Sequence, residues 1–324
     1  MPFFTPMLPG PRFDVLPYRP APHWPGLSEM RGATHTRRSN IGRQLKLGLA
    51  LWMTQVHRAR FDAVLSQHSH WRPVFVRQAK SFEPLLQSFM DRRFGMAQRF
   101  THLQHDLITA SQVFGPATGA RIALGERVLL WTLPDGGTLR LGLNGVCKRE
   151  GLWALSLDTA GGVQVCQISF SFLHAGRLML GSVQGAAAQD EVAMQGIREL
   201  TRAAEGLRPP YLLAEVLRTL CKRWSLDMLG VDPQHHVKKR WHQQTLAVSF
   251  DYCGFWAELG GHRQANGIWS LPLQRPLRDL AEVPTKRRAQ YKRKLALLAD
   301  LPQQLQHLPS PSPKAQAAQA AKTG

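Results

Sequence analysis

The sequence predicts an α+β fold, in which a helical N-terminal region precedes a mixed, mostly antiparallel sheet flanked by helices. Three observations support this class. Apolar residues recur at steps of three and four between residues 43 and 114, which is the helix period. Short β-rich runs separated by glycines then fill residues 127–183, and helical spacing returns after residue 190.

The individual elements follow from these patterns. The β-rich runs are typical of an antiparallel meander, and Pro209 and Pro210 suit the first turn of a helix. The expected strands are 127–131, 138–143, 152–157, 163–172, 178–183, 226–231 and 267–273, and the expected helices after the meander are 190–204, 211–224, 250–259 and 285–299. In the fourth run, Gln167, Ser169 and Ser171 alternate with apolar residues, which predicts one wet face and one buried face.

Composition sets the expected domain limits. Residues 1–35 hold eight prolines before Gly26, and residues 302–324 are rich in Pro, Ala and Gln. Neither end has a sustained apolar period, so we expect a disordered leader and a disordered tail. Between them we expect a helical region, 36–115, packed with an α+β domain, 116–301, that includes the basic helix 285–299.

The charge of the chain predicts an anionic partner. Net charge is +19 over 324 residues, and the segments 1–40, 41–115, 116–280 and 281–324 carry +3, +6, +4 and +6. Arginine supplies 30 of the 41 cations, and its planar fork matches phosphate and carboxylate, although genome base composition is an alternative cause. A phosphate-bearing cofactor, a lipid head group or nucleic acid would fit this charge.

Several function classes lack their motifs. No P-loop, dinucleotide-binding, zincin or nucleophile-elbow motif occurs, and the four cysteines form no C-x-x-C pair. The close histidine groups, at 68/70, 102/105 and 235/236, lack a matching third ligand, so we expect no metal. No signal peptide and no apolar run of 18 residues is present, which predicts a cytoplasmic protein, with the inner membrane face as the alternative.

The basic segment 284–294 is the first candidate site. Lys286, Arg287 and Arg288 fall at a helix N-terminus, where cations are unfavourable by about 0.3–1 kcal/mol each. An anion held by the helix N–H groups and these side chains would explain them, and Tyr291 could stack or donate a hydrogen bond there. A solvated charge run is the alternative.

The second candidate site surrounds the buried strand 226–231. Asp232, His235 and His236 follow its carboxyl end, where α/β proteins usually bind ligands, and histidine can act as a general base near neutral pH. Arg208 and Glu215 belong to the preceding helix. Because the meander ends at residue 184, parallel pairing with the buried strand would bring Gln184, Arg208 and the loop 232–236 around one cleft. The alternative is an Arg208–Glu215 ion pair with histidines that only cap a loop.

Seven motifs carry a family resemblance. They are ISFSFL at 168–173, GSVQG at 181–185, IRELT at 197–201, GLRP at 206–209, LGV at 229–231, FWAELG at 255–260 and VPTKRRA at 283–289. With these motifs in this order, residues 42–301 resemble the VirK/YbjX family of bacterial proteins. The resemblance implies a cytoplasmic or inner-face protein associated with stress, envelope integrity and virulence, with no settled activity. One departure is Asp232-Pro233, where the family tends to have Ser-Asn.

The order of elements is also similar to the acyl-CoA N-acyltransferase fold, in which acyl-CoA lies between two splayed strands. The glycine-rich pyrophosphate loop of that superfamily is absent, because three alanines follow Gly185. Any CoA phosphates would need another anchor, such as Arg208 or the basic helix.

Two functional hypotheses follow. The first is an acyltransferase-like enzyme using acyl-CoA, with Gln184 and Arg208 near the donor and Glu215, His235 or His236 as the base. The second is a non-enzymatic stress protein, for example in the DNA damage response, that binds nucleic acid or anionic lipid through its basic flanks.

Overall fold

The computed structural model describes residues 24–26, 29–30, 41–185, 190–238, 250–275 and 279–309. Within these ranges the chain forms ten α-helices and one eight-stranded sheet with the order β1-β2-β3-β4-β5-β6-β8-β7. The predicted α+β class is therefore confirmed.

Six helices precede the sheet: α1 Ile41–Met53, α2 Gln55–Gln67, α3 Arg72–Val76, α4 Glu83–Leu86, α5 Met96–Phe114 and α6 Pro116–Ala123. The longest of them, α5, buries Phe100, Leu103, Leu107 and Phe114 at helical spacing. Phe114 contacts the rings of Trp153 and Phe172 in the sheet, so α5 joins the helical region to the strands in one continuous core.

The first five strands form the expected meander: β1 Val128–Thr132, β2 Thr138–Leu143, β3 Trp153–Asp158, β4 Gln164–Leu173 and β5 Arg177–Gly185. Each pairs antiparallel with the next. The turn between β1 and β2 uses Gly136 at φ +84°, a conformation that glycine adopts without steric cost.

The remaining elements are α7 Glu191–Ala203, α8 Pro209–Trp224, β6 Asp227–Gly230, α9 Tyr252–Glu258, β7 His262–Arg263, β8 Trp269–Leu271 and α10 Thr285–Gln304. Helices α7 and α8 form the crossover that makes β6 parallel to β5, which is the pairing considered from the sequence. Strand β8 then pairs with β6, and the unpredicted two-residue β7 lies outside it.

The polar face of β4 is a correction to the predicted wet face. Gln167, Ser169 and Ser171 are all buried. Ser171 Oγ accepts a hydrogen bond from the Leu152 N–H, and Ser169 Oγ donates to the Glu150 carbonyl at 2.7 Å. The alternating pattern correctly assigned the polar and apolar residues to opposite faces of β4. The polar face is nevertheless buried, because the segment before β3 covers it and makes hydrogen bonds with its side chains.

The chain ends pack further than predicted. Helix α10 continues to Gln304, and Leu301, Leu305 and Leu308 are buried because their spacing keeps them on one face. Arg223 donates to the Leu308 carbonyl at 2.8 Å, so the predicted disordered tail begins too early. Residues 310–324 lie outside the described residues.

Part of the predicted leader also packs on the helical region. The Trp24 ring lies 4.8 Å from that of Phe82, and its indole N–H donates to Asp62 at 3.1 Å. Met30 is fully buried. The rest of the leader, apart from residues 25, 26 and 29, lies outside the described residues.

Candidate functional site

Strands β5 and β6 separate at the carboxyl end of their parallel pairing. The last paired residues are Leu180 and Gly230, whereas β5 continues to Gly185. Against β4, Leu180 pairs with Phe170 and Ser182 pairs with Ser169, so Gly181 is an extra residue in β5. Such a bulge bends its strand. The edge of β5 beyond Gly181 is therefore left to side chains rather than to a neighbouring strand.

Gly181 allows a turn to press against this bulge. The turn Lys148–Glu150 is a short 3₁₀ helix, and a Cβ at position 181 would lie 1.7 Å from the Glu150 carbonyl oxygen. Gly151, at φ +130°, lets the chain enter β3 close to the backbone of Phe170. These two glycines hold Glu150 against β4 and β5.

The Glu150 side chain is the centre of what we call the sheet-end cluster: Glu150, Ser182, Gln184, His236 and Lys238. Glu150 is buried, and its Oε2 atom lies 2.9 Å from Lys238 Nζ and accepts from Gln184 Nε2 at 3.1 Å. Its Oε1 atom lies 3.5 Å from His236 Nε2 and has no hydrogen-bond donor among the described residues. Burying a carboxylate costs desolvation free energy, and Lys238 and Gln184 offset this cost at only one of the two oxygens.

His236 serves this cluster structurally. Its Nε2 atom lies 2.9 Å from the Gly181 carbonyl oxygen, and its Nδ1 atom accepts from the Lys238 N–H at 3.3 Å. Burial lowers the pKa of His236, which favours the neutral ring that these two bonds require. Both nitrogens are engaged by backbone groups, which does not favour the predicted role of His236 as a base.

Helix α9 fills the space between the diverging strands. Tyr252 Oη accepts from the Val183 N–H of β5 at 3.2 Å, and its ring stacks on His236 at 5.7 Å. Trp256 Nε1 donates to the carbonyl of Val231, just after β6, at 3.2 Å. Gly230 makes room for that indole, because a Cβ there would lie 2.7 Å from it.

Asp232 and His235 form a separate pair beside the cluster. Asp232 is fully buried, and His235 Nδ1 lies 2.5 Å from its Oδ2 atom. The guanidinium groups of Arg93 and Arg263 lie 3.7 and 3.5 Å from the same carboxylate. Because the His235 side chain is 32% exposed, its ring is oriented by a buried carboxylate while remaining reachable by solvent. This is an arrangement in which the second ring nitrogen can accept a proton.

A cavity of about 880 Å³ opens between the N-termini of α8 and α10 and the end of α9, and we call it the basic cavity. Arg208, Glu215, Arg287 and Tyr291 all line it. Its size falls within the range of small-molecule sites, about 300–1,000 Å³. Since α8 starts with two prolines, which carry no N–H, anion binding at this helix would depend on side chains.

The charges in the basic cavity differ in their partners. Glu215 Oε1 lies 2.6 Å from an Arg218 nitrogen and 3.1 Å from one of Arg275, so the Arg208–Glu215 ion pair considered above does not form. This pairing does not favour the predicted role of Glu215 as a base. In the part of the chain that the structure describes, the side chains of Arg208 and Arg287 make no hydrogen bond or ion pair.

The other cations of the basic segment point elsewhere. Arg288 Nε donates to the Val283 carbonyl at 2.9 Å and fixes the turn before α10, so Arg288 is structural. Lys286 is exposed and does not line the basic cavity. Among the predicted anion-binding residues of this helix, the structure therefore brings Arg287 and Tyr291 to Arg208.

The single cleft expected from the sequence is divided in two. Gln184 and His236 share the sheet-end cluster, Asp232 and His235 lie beside it, and the described lining of the basic cavity contains none of them. Helix α9 connects the two places. Tyr252 is at its start and Glu258, which lines the basic cavity, is at its end, about 9 Å apart at 1.5 Å per residue.

Glu150 was missed by the sequence reasoning. It stands in a loop between two strands, and no spacing or charge pattern distinguishes it. The GSVQG motif was the available signal for a buried partner such as Glu150. Gly181 lies against the Glu150 turn, Ser182 contacts Ser169, which bonds to that turn, and Gln184 donates to the Glu150 side chain. A motif with glycines and polar residues in an otherwise apolar strand indicates a buried polar partner.

A family model described as "Protein of unknown function (DUF535)" matches residues 36–307. The chain therefore belongs to this family. An Escherichia coli (strain K12) protein named "Uncharacterized protein YbjX" is 27% identical over 50% of each chain, which confirms the predicted VirK/YbjX relationship.

Other relatives cover more of the chain. A Haemophilus influenzae protein is 24% identical over 79% of this chain and 87% of its own, and a second is 26% identical over 89% and 91%. The "Membrane protein LapB" of Mannheimia haemolytica is 24% identical over 67% of this chain and 93% of its own. No solved structure matches the chain.

Within the described ranges, no group of three or more His, Cys, Asp or Glu residues could hold a metal ion. None of the helices found there is long and apolar enough to cross a membrane.

Proposed function

We propose that the protein is an acyltransferase-like enzyme that binds acyl-CoA, with the phosphates in the basic cavity and the thioester near the carboxyl end of β5. The observation that carries this proposal is the parallel pair β5 and β6, which parts at the Gly181 bulge. The sheet order, with β8 between β6 and β7, is compatible with the proposed likeness to the acyl-CoA N-acyltransferase fold. A likeness of fold alone does not determine an activity, so the argument depends on the site.

Arg208 and Arg287 are the side chains best suited to hold the phosphates. They line one cavity and are not engaged by any described carboxylate. Guanidinium groups bind phosphate oxygens in a bidentate manner, and this anchor would replace the missing glycine-rich loop. Tyr291, which lines the same cavity, lies where it could stack or donate a hydrogen bond to the ligand.

His235 is the residue that best fits the general base. In acyl transfer, an amine or hydroxyl attacks the thioester carbonyl, its proton passes to the base, and the thiol of CoA leaves. Asp232 orients the His235 ring through Nδ1, as carboxylates do for catalytic histidines. His236 and Glu215 are engaged in structural contacts, which leaves His235 from the three predicted candidates.

The edge of β5 imposes one condition on this proposal. Its Gly181 carbonyl and Val183 N–H are bonded to His236 and Tyr252. A pantetheine arm that pairs with this edge would have to displace one of these side chains. We therefore expect ligand binding to change the environment of Tyr252.

Titration calorimetry of the full chain tests the proposal, with CoA, acetyl-CoA, palmitoyl-CoA and pantetheine as ligands. We expect the three CoA compounds to bind and pantetheine, which lacks the phosphates, not to bind. In a thiol-release assay with a panel of amines, His235→Gln should lose turnover and keep CoA affinity. Absence of binding by all three CoA compounds would overturn the proposal. The links to stress, envelope integrity and virulence stay predictions from the family resemblance, and the cytoplasmic location stays a prediction from the sequence.

A further inference from the structure

Helix α1 carries an apolar stripe on the face that points away from the core. The stripe continues into the start of α2, and its side chains are between 46% and 82% exposed. It consists of Leu45, Leu49, Trp52, Met53 and Val56, which we call the outer stripe. These positions are separated by four, three, one and three residues, so a helix presents them on one side. Exposed apolar patches of this kind mark interaction surfaces.

The outer stripe is not required for the packing of α1. Leu47, Ala50 and Leu51 contact the core from the opposite side of the helix, and Thr54 is fully buried where α1 meets α2. The helix is thus apolar on both sides. One side is explained by the fold, and the other side is not.

The charges around the outer stripe indicate what covers it. Residues 41–60 contain four cations and no acidic residue, but one of the four, Arg58, donates to the Leu51 carbonyl at 2.9 Å and lies over the Trp24 ring, on the packed side. Lys46 and Arg60 are exposed. A second copy of the chain would set this cationic surface against itself, and nucleic acid offers little apolar surface to bury. An anionic lipid surface satisfies both properties, because apolar side chains enter the acyl region while Lys and Arg meet the head groups.

We propose that α1 and the first turn of α2 dock the protein on an anionic membrane surface through the outer stripe. Trp52 lies at the middle of the stripe and suits the boundary between head groups and acyl chains, where tryptophan is enriched. The helix would lie in the plane of the interface and not cross it. This proposal is independent of acyl transfer, because none of its residues belongs to the sheet-end cluster or the basic cavity.

Flotation of the full chain with lipid vesicles tests it. One set of vesicles contains phosphatidylcholine alone, and the other contains phosphatidylcholine with phosphatidylglycerol. We expect wild type to float with the anionic vesicles and to remain unbound with the neutral ones. The double variant Leu49→Gln, Trp52→Gln should lower the partition coefficient by at least about tenfold, because two apolar side chains no longer enter the lipid.

A matched control replaces two exposed apolar residues elsewhere, Leu124→Gln and Val192→Gln, whose side chains are 49% and 66% exposed. This variant should float as wild type does, and circular dichroism should show that both variants are folded. Equal flotation of the stripe variant and wild type would overturn the proposal, and so would failure of wild type to float. Light scattering that finds a dimer which the stripe variant dissociates, or binding to duplex DNA in place of vesicles, would assign the surface to another partner and also overturn it.

Discussion

The sheet-end cluster and the basic cavity lie at opposite ends of α9 and differ in how their charges are satisfied. In the cluster, Glu150 is buried and receives Lys238 and Gln184 on one oxygen. In the cavity, Arg208 and Arg287 face open space with no described partner. Interior charges that are already paired maintain a geometry, whereas unpaired charges around a cavity are available to a ligand. The cluster should therefore determine stability and the cavity should determine binding.

The largest loss of stability from a substitution in the cluster is expected at Gly181, and it tests this comparison. Gly181→Ala should lower the free energy of unfolding by about 3 kcal/mol or more, because the new methyl group meets the Glu150 carbonyl oxygen at 1.7 Å. Gly185→Ala in the same motif is the matched control, since no atom lies within 4 Å of its added Cβ. Urea unfolding of both variants measures the difference. Equal stability of the two would show that the Glu150 turn does not press on β5.

A smaller effect is expected at Glu150 itself. Glu150→Ala should cost about 2 kcal/mol of unfolding free energy, because Gln184 and the partly exposed Lys238 lose their acceptor. Glu199→Ala, an exposed glutamate on α7, should change stability by less than about 0.5 kcal/mol. Chemical denaturation checks both variants, and a neutral result at position 150 would remove the cluster as a source of stability.

The pH dependence of stability tests the buried contact between Asp106 of α5 and strand β4. Burial raises the pKa of Asp106 from its ordinary 3.8 to about 7, although Trp153 Nε1 and the Phe172 N–H donate to its Oδ1 atom. The unfolded chain then loses this proton at lower pH than the folded chain. The contribution of protonated Asp106 to the free energy of unfolding is therefore complete below about pH 4. It declines as the pH rises to about 7, by up to about 1.4 kcal/mol per pH unit.

Asp106→Asn has no proton to lose and keeps an oxygen acceptor at the same position. The difference in unfolding free energy between this variant and wild type should therefore move in favour of the variant as the pH rises from 4 to 7. Denaturation curves at several pH values measure it. A difference that is independent of pH would contradict the raised pKa.

The smallest stability effect is expected in the basic cavity. Arg208→Ala should change the free energy of unfolding by less than about 0.5 kcal/mol, because this exposed side chain has no described partner to lose. Arg287→Glu should leave stability unchanged or raise it by up to about 1 kcal/mol, since an acidic residue suits the first turn of α10. Thermal unfolding checks both, and a large loss would give these residues a structural role.

Periodicity and turn signals predicted the helices and the meander, because those features depend on local spacing, whereas the parallel β5–β6 pair was considered only by analogy with acyltransferase-like folds. The limits of the tail could not be predicted from composition, since the burial of Leu305 and Leu308 depends on tertiary packing, which includes a hydrogen bond from Arg223 of α8 to the Leu308 carbonyl. Candidate site residues were proposed from a charge that is unusual for its place, as for Arg287, or from a position beside the buried strand, as for Arg208. Glu150 was missed because its role depends on a bulge at Gly181, which is distant in sequence and specific to the three-dimensional fold.

One measurement tests most directly whether the basic cavity binds the phosphates of CoA. Calorimetry compares the CoA affinity of wild type, Arg287→Glu and Lys286→Glu, which reverse neighbouring charges in the same helical turn. Of these two residues, Arg287 lines the cavity and Lys286 does not. We expect Arg287→Glu to weaken binding by at least about tenfold, which corresponds to one lost charge-assisted contact, and Lys286→Glu to change it by less than about twofold. Equal losses in the two variants, or no loss in Arg287→Glu, would contradict the assignment of the cavity.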